Sequence, residues 1–571
     1  MKFPALSLRL SLAVTVALLM TFIQATNAQN VLIIIADDLG ADSLGTFSTA
    51  TDIAPTPNLD ALANNGVRFT RCWSNPTCSP SRASMLTGRH GFRTGVGQPG
   101  DPIDQDEITL AHAFSNAGYA TACVGKWHLS DNSNGGADNP NIMGFDHFAG
   151  SLGGGVGNYF SWSKVTNGVT DPNPVTTYST TENVNDAITW INNQNDKWFM
   201  WLAFNAPHTP FHLPPNDLHS YDHLDGNITN RNSTEYYQAA IEAMDTEIGR
   251  LLGAIDPQEL ANTTIIFVGD NGTPNRVSPG VVVGSKGSLY EGGVNVPCIV
   301  AGQAVAGQLN RTDDTMIQFV DVFETLMDIA QIDTPENTAN DSISFAARLS
   351  DANAETQHRY QFSIKTDAKA IADNDYKYIA YDNGDEELFH RSDESDNLLD
   401  FALGDEAQAA YDELSAQMTS LVAGWTEISF DSFEGDWGSY TPSADSQLAT
   451  QRRHASDGTH SAHIRNTSSF ETTDGIDVSA YSQIEISFTF KLLRMEAGEG
   501  FYVEYFDGLQ WHLVSGYSSD DFADSTQYER AILIDRVDYD FPTDAKFRFA
   551  CDANQNRDNA YIDAVTVRAA E

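Results

Sequence analysis

The sequence predicts an α/β domain, with a mixed, mostly parallel sheet covered by helices on both faces, followed by an all-β sandwich of jelly-roll type. Three observations carry that expectation. Between residues 29 and about 424, short apolar runs alternate with amphipathic helical stretches, the order that builds a sheet clothed by helices. From Thr426 onward the helical pattern gives way to short alternating strands parted by Gly, Asp and Ser turns. A length of 571 residues also exceeds what one core usually organises. The expected division is a leader over 1–28, a first domain over 29–424 and a second over 425–571.

The apolar runs of the first domain are Val31–Ala36, Ala120–Val124, Trp198–Phe204, Thr264–Val268 and Pro297–Ala301. Helical spacing appears in Glu235–Ile255, where Tyr237, Ile241, Met244, Ile248 and Leu251 share a face, and again in Gln318–Ala330. A polar helix over Asp405–Gly424 closes the domain. Four of the five runs end at polar clusters: Asp37-Asp38, Lys126-Trp127-His128, His208 and Asp270-Asn271. Ligands of open α/β sheets bind outside the carboxyl ends of the strands. These clusters are therefore expected to meet in one composite site.

In the second domain the strands are Ile484–Leu492, Phe501–Phe506, Ala531–Ile534, Phe547–Cys551 and Tyr561–Val567. Trp437, Tyr440, Tyr505, Trp511 and Tyr517 are candidates for an aromatic platform under sugar rings. Filling the sandwich core is the other use such side chains have.

The first residues read as a secretory signal. Lys2 and Arg9 precede an apolar stretch from Leu10 to Ile23, and Thr26-Asn27-Ala28 offers a small-residue cleavage site. Cleavage near Ala28 implies a secreted or periplasmic protein. No other segment has the run of about 20 apolar residues that spans a bilayer, so membrane insertion is not expected. Net charge is −46, and loss of Lys2 and Arg9 takes it to −48. That charge excludes nucleic acid and anionic membranes as general partners. It suits saline water, where screening lengths fall below the physiological value of about 8 Å. Five cysteines are too sparse for a disulfide framework.

The most specific segment is Cys78-Ser79-Pro80-Ser81-Arg82-Ala83-Ser84-Met85-Leu86-Thr87-Gly88-Arg89. It resembles the signature of type I sulfatases, in which the cysteine is oxidised to formylglycine. With Asp37-Asp38, Gly125-Lys126-Trp127-His128, Ala206-Pro207-His208-Thr209-Pro210, Asp270-Asn271-Gly272, Lys286 and Glu291-Gly292-Gly293 in the same order, the resemblance covers roughly residues 29–400. It implies the alkaline-phosphatase-like fold and sulfuric ester hydrolase activity. It also implies one divalent cation, usually Ca²⁺, held by Asp37, Asp38, Asp270, Asn271 and the formylglycine made from Cys78. An all-oxygen set of that kind suits a hard cation at about 2.3–2.6 Å.

The resemblance assigns the remaining roles. Arg82, Lys126, His128, His208 and Lys286 bind sulfate, placing three permanent cations and two histidines around a dianion. Asp270 is the base for the attacking hydroxyl, His208 with Lys286 protonates the leaving oxygen, and His128 deprotonates the remaining hydroxyl so that sulfate leaves. The residues alone do not separate the two histidines. One departure stands out: where the family often reads Glu-Gly-Gly-x-Arg-Val-Pro, Asn295 replaces the arginine. The implied partners are a formylglycine-generating or equivalent maturation enzyme and a sulfated carbohydrate such as marine algal polysaccharide. Arylsulfatase or glycosaminoglycan sulfatase activity fits the same core. A phosphate or phosphonate hydrolase and an inactive carbohydrate-binding protein are the rival classes.

Overall fold

The structure is a computed structural model that describes residues from 29 onward. Excepted are 308, 336–337, 339–340, 355–358, 423–425, 432, 434–435, 444, 451–459, 482, 497–498, 520–521, 523–524, 537–538, 552, 554–557 and 571. The signal segment 1–28 lies outside the described residues. Two compact units divide between Leu414 and Ser415, inside the helix Asp405–Val422 and ten residues before the boundary read from sequence.

The first unit is built on a ten-stranded sheet. In chain order its strands are β1 (Asn30–Ala36), β2 (Gly66–Trp73), β3 (Ala120–Lys126), β4 (His147–Ser151), β5 (Val165–Thr166), β6 (Val169–Thr170), β7 (Trp198–Ala203), β8 (Thr263–Gly269), β9 (Cys298–Gly302) and β10 (Arg311–Gln318). Their spatial order is β10-β2-β9-β8-β1-β7-β3-β4-β5-β6. The run β8-β1-β7-β3-β4 is parallel throughout, and β9 enters antiparallel between β2 and β8. The sheet is thus mixed and parallel at its centre.

Alternation along β1 explains the layers. Val31, Ile33 and Ile35 enter one core with Met85, Leu86, Phe114 and Leu326, while Leu32 and Ile34 enter the opposite core with Leu59, Val184, Met244 and Leu251. Helices Cys78–Thr87, Leu110–Asn116 and Asp321–Ala330 therefore cover one face. Pro57–Asn64, Ser179–Ile191 and Ser233–Ala254 cover the other. The stretch read as a helix from Gln318 starts at Asp321, because Gln318 still belongs to β10 and its N–H is held by the Asp321 carboxylate. A second, four-stranded antiparallel sheet, β11 (Gln361–Lys365), β12 (Ala368–Ala372), β13 (Tyr376–Tyr381) and β14 (Glu386–His390), was not apparent in the sequence.

The second unit is a sandwich of two antiparallel sheets with one aromatic core, in which Phe488 and Phe549 meet edge to face at 5.0 Å. Its strand Gln483–Leu493 buries every second side chain. The aromatic platform is corrected by burial: Tyr440, Tyr505 and Tyr517 are buried in the sandwich core, so three of the five candidate platform residues fill it. Trp511 stays half-buried beneath the Arg548 guanidinium, 4.0 Å from its ring centroid. All five cysteines are free and buried.

Candidate active site

β8, β1, β7 and β3 are successive parallel neighbours, so their carboxyl ends lie along one edge of the sheet. Asp37 and Asp38 leave β1, Lys126 ends β3 and leads into His128, His208 follows β7 and Asp270-Asn271 leaves β8. Backbone bonds tie these exits together. The Asp37 N–H donates to the Ala206 carbonyl at 3.0 Å and the Asp270 N–H to the Ala36 carbonyl at 2.9 Å. Gly269 lets Asp270 take its place, since a β-carbon there would lie 1.8 Å from the Leu39 carbonyl oxygen. Asp38 (φ 67°) and His128 (φ 63°) hold the left-handed conformation that side chains rarely adopt, a strain often found where geometry serves a site.

Cys78 opens the helix Cys78–Thr87, every residue of which is buried. Arg82 stands one turn on, on the same helix face. Its Nε and Nη2 reach Asp270 Oδ2 at 3.1 and 2.7 Å, and its Nη1 donates to the Lys126 carbonyl at 3.0 Å. Lys126 Nζ pairs with Asp37 Oδ2 at 2.7 Å, and Lys286 Nζ with Asp38 Oδ1 at 2.5 Å. His208 Nε2 faces Asp38 Oδ2 at 3.8 Å. Its Nδ1 lies 2.6 Å from the Thr209 carbonyl, which only accepts, so the ring proton of the neutral form sits on Nδ1. His128 is anchored by Ser79 Oγ–H, which donates to its carbonyl at 2.9 Å, and its own Nδ1 is buried without a partner.

The residues expected from sequence are thereby brought together. Cys78, Asp37 and Asp270 present ligand atoms within 4.8 Å of one another, as do Asp37, Asp38 and His208. Asp37 Oδ1 and Asn271 Oδ1 are buried with no hydrogen-bond partner, while Asn271 Nδ2 donates to Asp38 Oδ1 at 2.9 Å. Orphaned buried oxygens of this kind call for a partner. A hard divalent cation fits them and the neighbouring carboxylates.

Electrostatics separates the two central acids. Burial raises the Asp37 carboxyl, and Lys126 offsets only part of it. Burial also acts on Asp270, but Arg82 and then Lys126 overcome it and hold the carboxyl below its ordinary value. Burial, reinforced by Lys126 and Arg82, pushes His128 down to about 2, so its imidazole is neutral. Burial works against the Lys286 ammonium, yet Asp38 and Asp37 more than compensate and keep it charged.

Two features were not read from the sequence. The Tyr237 hydroxyl, seen only as part of a helix face, donates to the Asp38 carbonyl at 2.7 Å. The Glu291 carboxylate accepts from Trp73 Nε1 at 3.1 Å and faces Lys377 and Arg391 at 3.6 and 3.7 Å. Those cations come from β13 and the turn after β14. Asn295, at the departure from the family pattern, instead donates to the Thr70 carbonyl at 3.2 Å.

A family model described as Sulfatase matches residues 29–332. The uncharacterized sulfatase YdeN of Escherichia coli (strain K12) is 30% identical over 371 residues, covering 58% of this chain and 64% of that protein. N-acetylgalactosamine-6-sulfatase of Sus scrofa is 28% identical over 361 residues, covering 56% and 65%. The chain thus spans less than two thirds of these relatives' length, 64% and 65%. Among solved structures, Ps i-CgsB in complex with k-i-k-neocarrahexaose superposes with TM-score 0.60 at 23% identity over 69% of this chain and 93% of that one. PsFucS1 sulfatase from Pseudoalteromonas sp. gives 0.58 at 22% over 70% and 90%. The fold is that of the alkaline-phosphatase-like hydrolases. The chain belongs to the sulfatase family.

Proposed function

We propose that this protein hydrolyses sulfate esters, with residues 29–424 as the catalytic part and 425–571 as an accessory part. The carrying observation is the buried start of the helix at Cys78, set against the Asp37–Asp270 carboxylates and the Arg82, Lys126 and Lys286 cations. Conversion of Cys78 to formylglycine by a maturation enzyme supplies a hydrated aldehyde, with one hydroxyl to attack sulfur and another whose deprotonation releases sulfate. Asp37, Asp38, Asp270 and Asn271 would hold one divalent cation, Ca²⁺ by their oxygen chemistry, which when bound polarises the sulfuryl oxygens.

The side chains divide the remaining work. Arg82, Lys126 and Lys286 stabilise charge on the sulfate oxygens. Asp270, ionised and braced by Arg82, accepts the proton of the attacking hydroxyl. His208 in its doubly protonated form, with Nε2 at the Asp38 carboxylate that Lys286 also holds, gives its Nε2 proton to the departing oxygen and keeps its Nδ1 proton on the Thr209 carbonyl. His128, neutral, takes the proton of the second hydroxyl.

A sulfated carbohydrate is the substrate class, met by a secreted or periplasmic protein, a reading supported by the leader and by the oligosaccharide complex of the structural neighbour. Asp270-Asn271, where two-zinc phosphatases commonly carry Asp-His, disfavours a phosphatase. The test is a chromogenic aryl sulfate beside the matching phosphate. Sulfate turnover that Cys78→Ala abolishes is the expected result; phosphate turnover alone would overturn it.

A further inference from the structure

Tyr159 is 1% exposed, and its hydroxyl lies 2.5 Å from the Asn205 carbonyl and 2.8 Å from the His208 carbonyl. Carbonyls only accept, so the phenolic hydrogen is shared across a turn already closed by the His208 N–H donating to Asn205 at 3.0 Å. The Tyr159 ring stacks on His212 with centroids 3.7 Å apart. His212 Nδ1, 3.1 Å from the Pro210 carbonyl, must donate there, which leaves Nε2 to accept from the Tyr178 hydroxyl at 2.9 Å. The backbone on both sides of His208 is therefore fixed from Tyr159 and Tyr178. The imidazole follows, because its Nδ1 proton is already committed to Thr209.

Just before Tyr159, two glycines face the two histidines. A β-carbon at Gly154 would lie 2.6 Å from His128 Nε2, and one at Gly155 would lie 3.1 Å from His208 Nδ1. Neither glycine has a positive φ. Space against the rings, rather than backbone conformation, is what a side chain would violate there.

On the proposed assignment of His208 as acid and His128 as base, we infer that the segment from Gly154 to Tyr159 is a positioning element for both histidines. Tyr159 sets the acid and Gly154 leaves room for the base. The two halves act at different steps, so they separate kinetically. Protonation of the leaving oxygen matters most for poor leaving groups, and kcat/KM reports steps up to that bond cleavage. Release of sulfate by the base comes later and appears in kcat alone.

The experiment compares wild type, Tyr159→Phe, Tyr178→Phe and Gly154→Ala on aryl sulfates graded from 4-nitrophenyl to phenyl sulfate. For Tyr159→Phe the loss of kcat/KM should grow along the series, from under about threefold to about a hundredfold, the scale of general acid catalysis. Tyr178→Phe, which leaves the Tyr159 hydroxyl in place, should show the same trend more weakly and serves if Tyr159→Phe does not fold. Gly154→Ala should lower kcat while kcat/KM on 4-nitrophenyl sulfate holds. Losses uniform along the series in both tyrosine variants, or no loss, would overturn the inference while leaving the hydrolase reading intact. A wild-type protein inactive on every sulfate would overturn both.

Discussion

Lys126 Nζ lies 2.7 Å from Asp37 Oδ2, both side chains are fully buried, and the other Asp37 oxygen has no hydrogen-bond partner. One ammonium thus half-satisfies a carboxylate that water cannot reach. Asp37 also offers a carboxylate oxygen within 4.8 Å of ligand atoms of Cys78 and Asp270. Such a pair is fragile toward loss of one member, because the survivor is left as an uncompensated buried charge.

Lys126→Met is accordingly expected to destabilise the metal-free protein by about 3–5 kcal/mol in denaturant unfolding. Adding calcium should recover part of that loss by supplying Asp37 with another positive partner. An equal loss with and without calcium would mean that no cation binds at Asp37.

Chelation should lower the melting temperature, and calcium should restore it. A cation present at about a hundredfold its Kd adds about 2.7 kcal/mol to a native state that alone binds it. Asn271→Ala removes one of the orphaned oxygens and should shift the calcium needed for half-restoration upward, read by titrating thermal stability. Restoration indistinguishable between wild type and Asn271→Ala would exclude Asn271 as a ligand.

His212 gives a pH signature. Burial holds its imidazole down at about 4, with the Pro210 bond opposing, against an ordinary value of 6.5. The unfolded chain therefore takes up the proton first as pH falls. This contribution to stability is complete above pH 6.5 and is lost progressively toward pH 4. His212→Phe should show a smaller drop in melting temperature than wild type across that window. Parallel curves would count against the neutral His212.

What the sequence revealed follows the range of the interactions involved. Asp37, Asp38, Lys126, His128, His208, Asp270 and Asn271 were legible as one cluster because they lie at or soon after the ends of apolar strands, and parallel neighbours must share a carboxyl edge; Cys78, Arg82 and Lys286 were legible only through the motif resemblance. The burial of Tyr505 was also there to read, since Phe501, Val503 and Tyr505 alternate along one strand and share its inner face. The partners of Glu291 were not legible. Lys377 lies 86 residues away on a small sheet of short strands whose mixed composition carries no clear period, and Arg391 lies 100 residues away in the turn after that sheet's last strand. Nor does any local pattern place Gly154 on His128 or Tyr159 beneath His208. Those contacts depend on how the loop after β4 returns over β7 and β3.

The most direct measurement is the chemistry at residue 78 in active protein. Trypsin releases the peptide Cys72–Arg82, and mass spectrometry reads its side chains. Protein that cleaves a chromogenic aryl sulfate should carry an aldehyde at position 78, trapped by hydroxylamine, in proportion to its specific activity. Full activity from protein whose Cys78 remains an unmodified thiol would contradict the central claim.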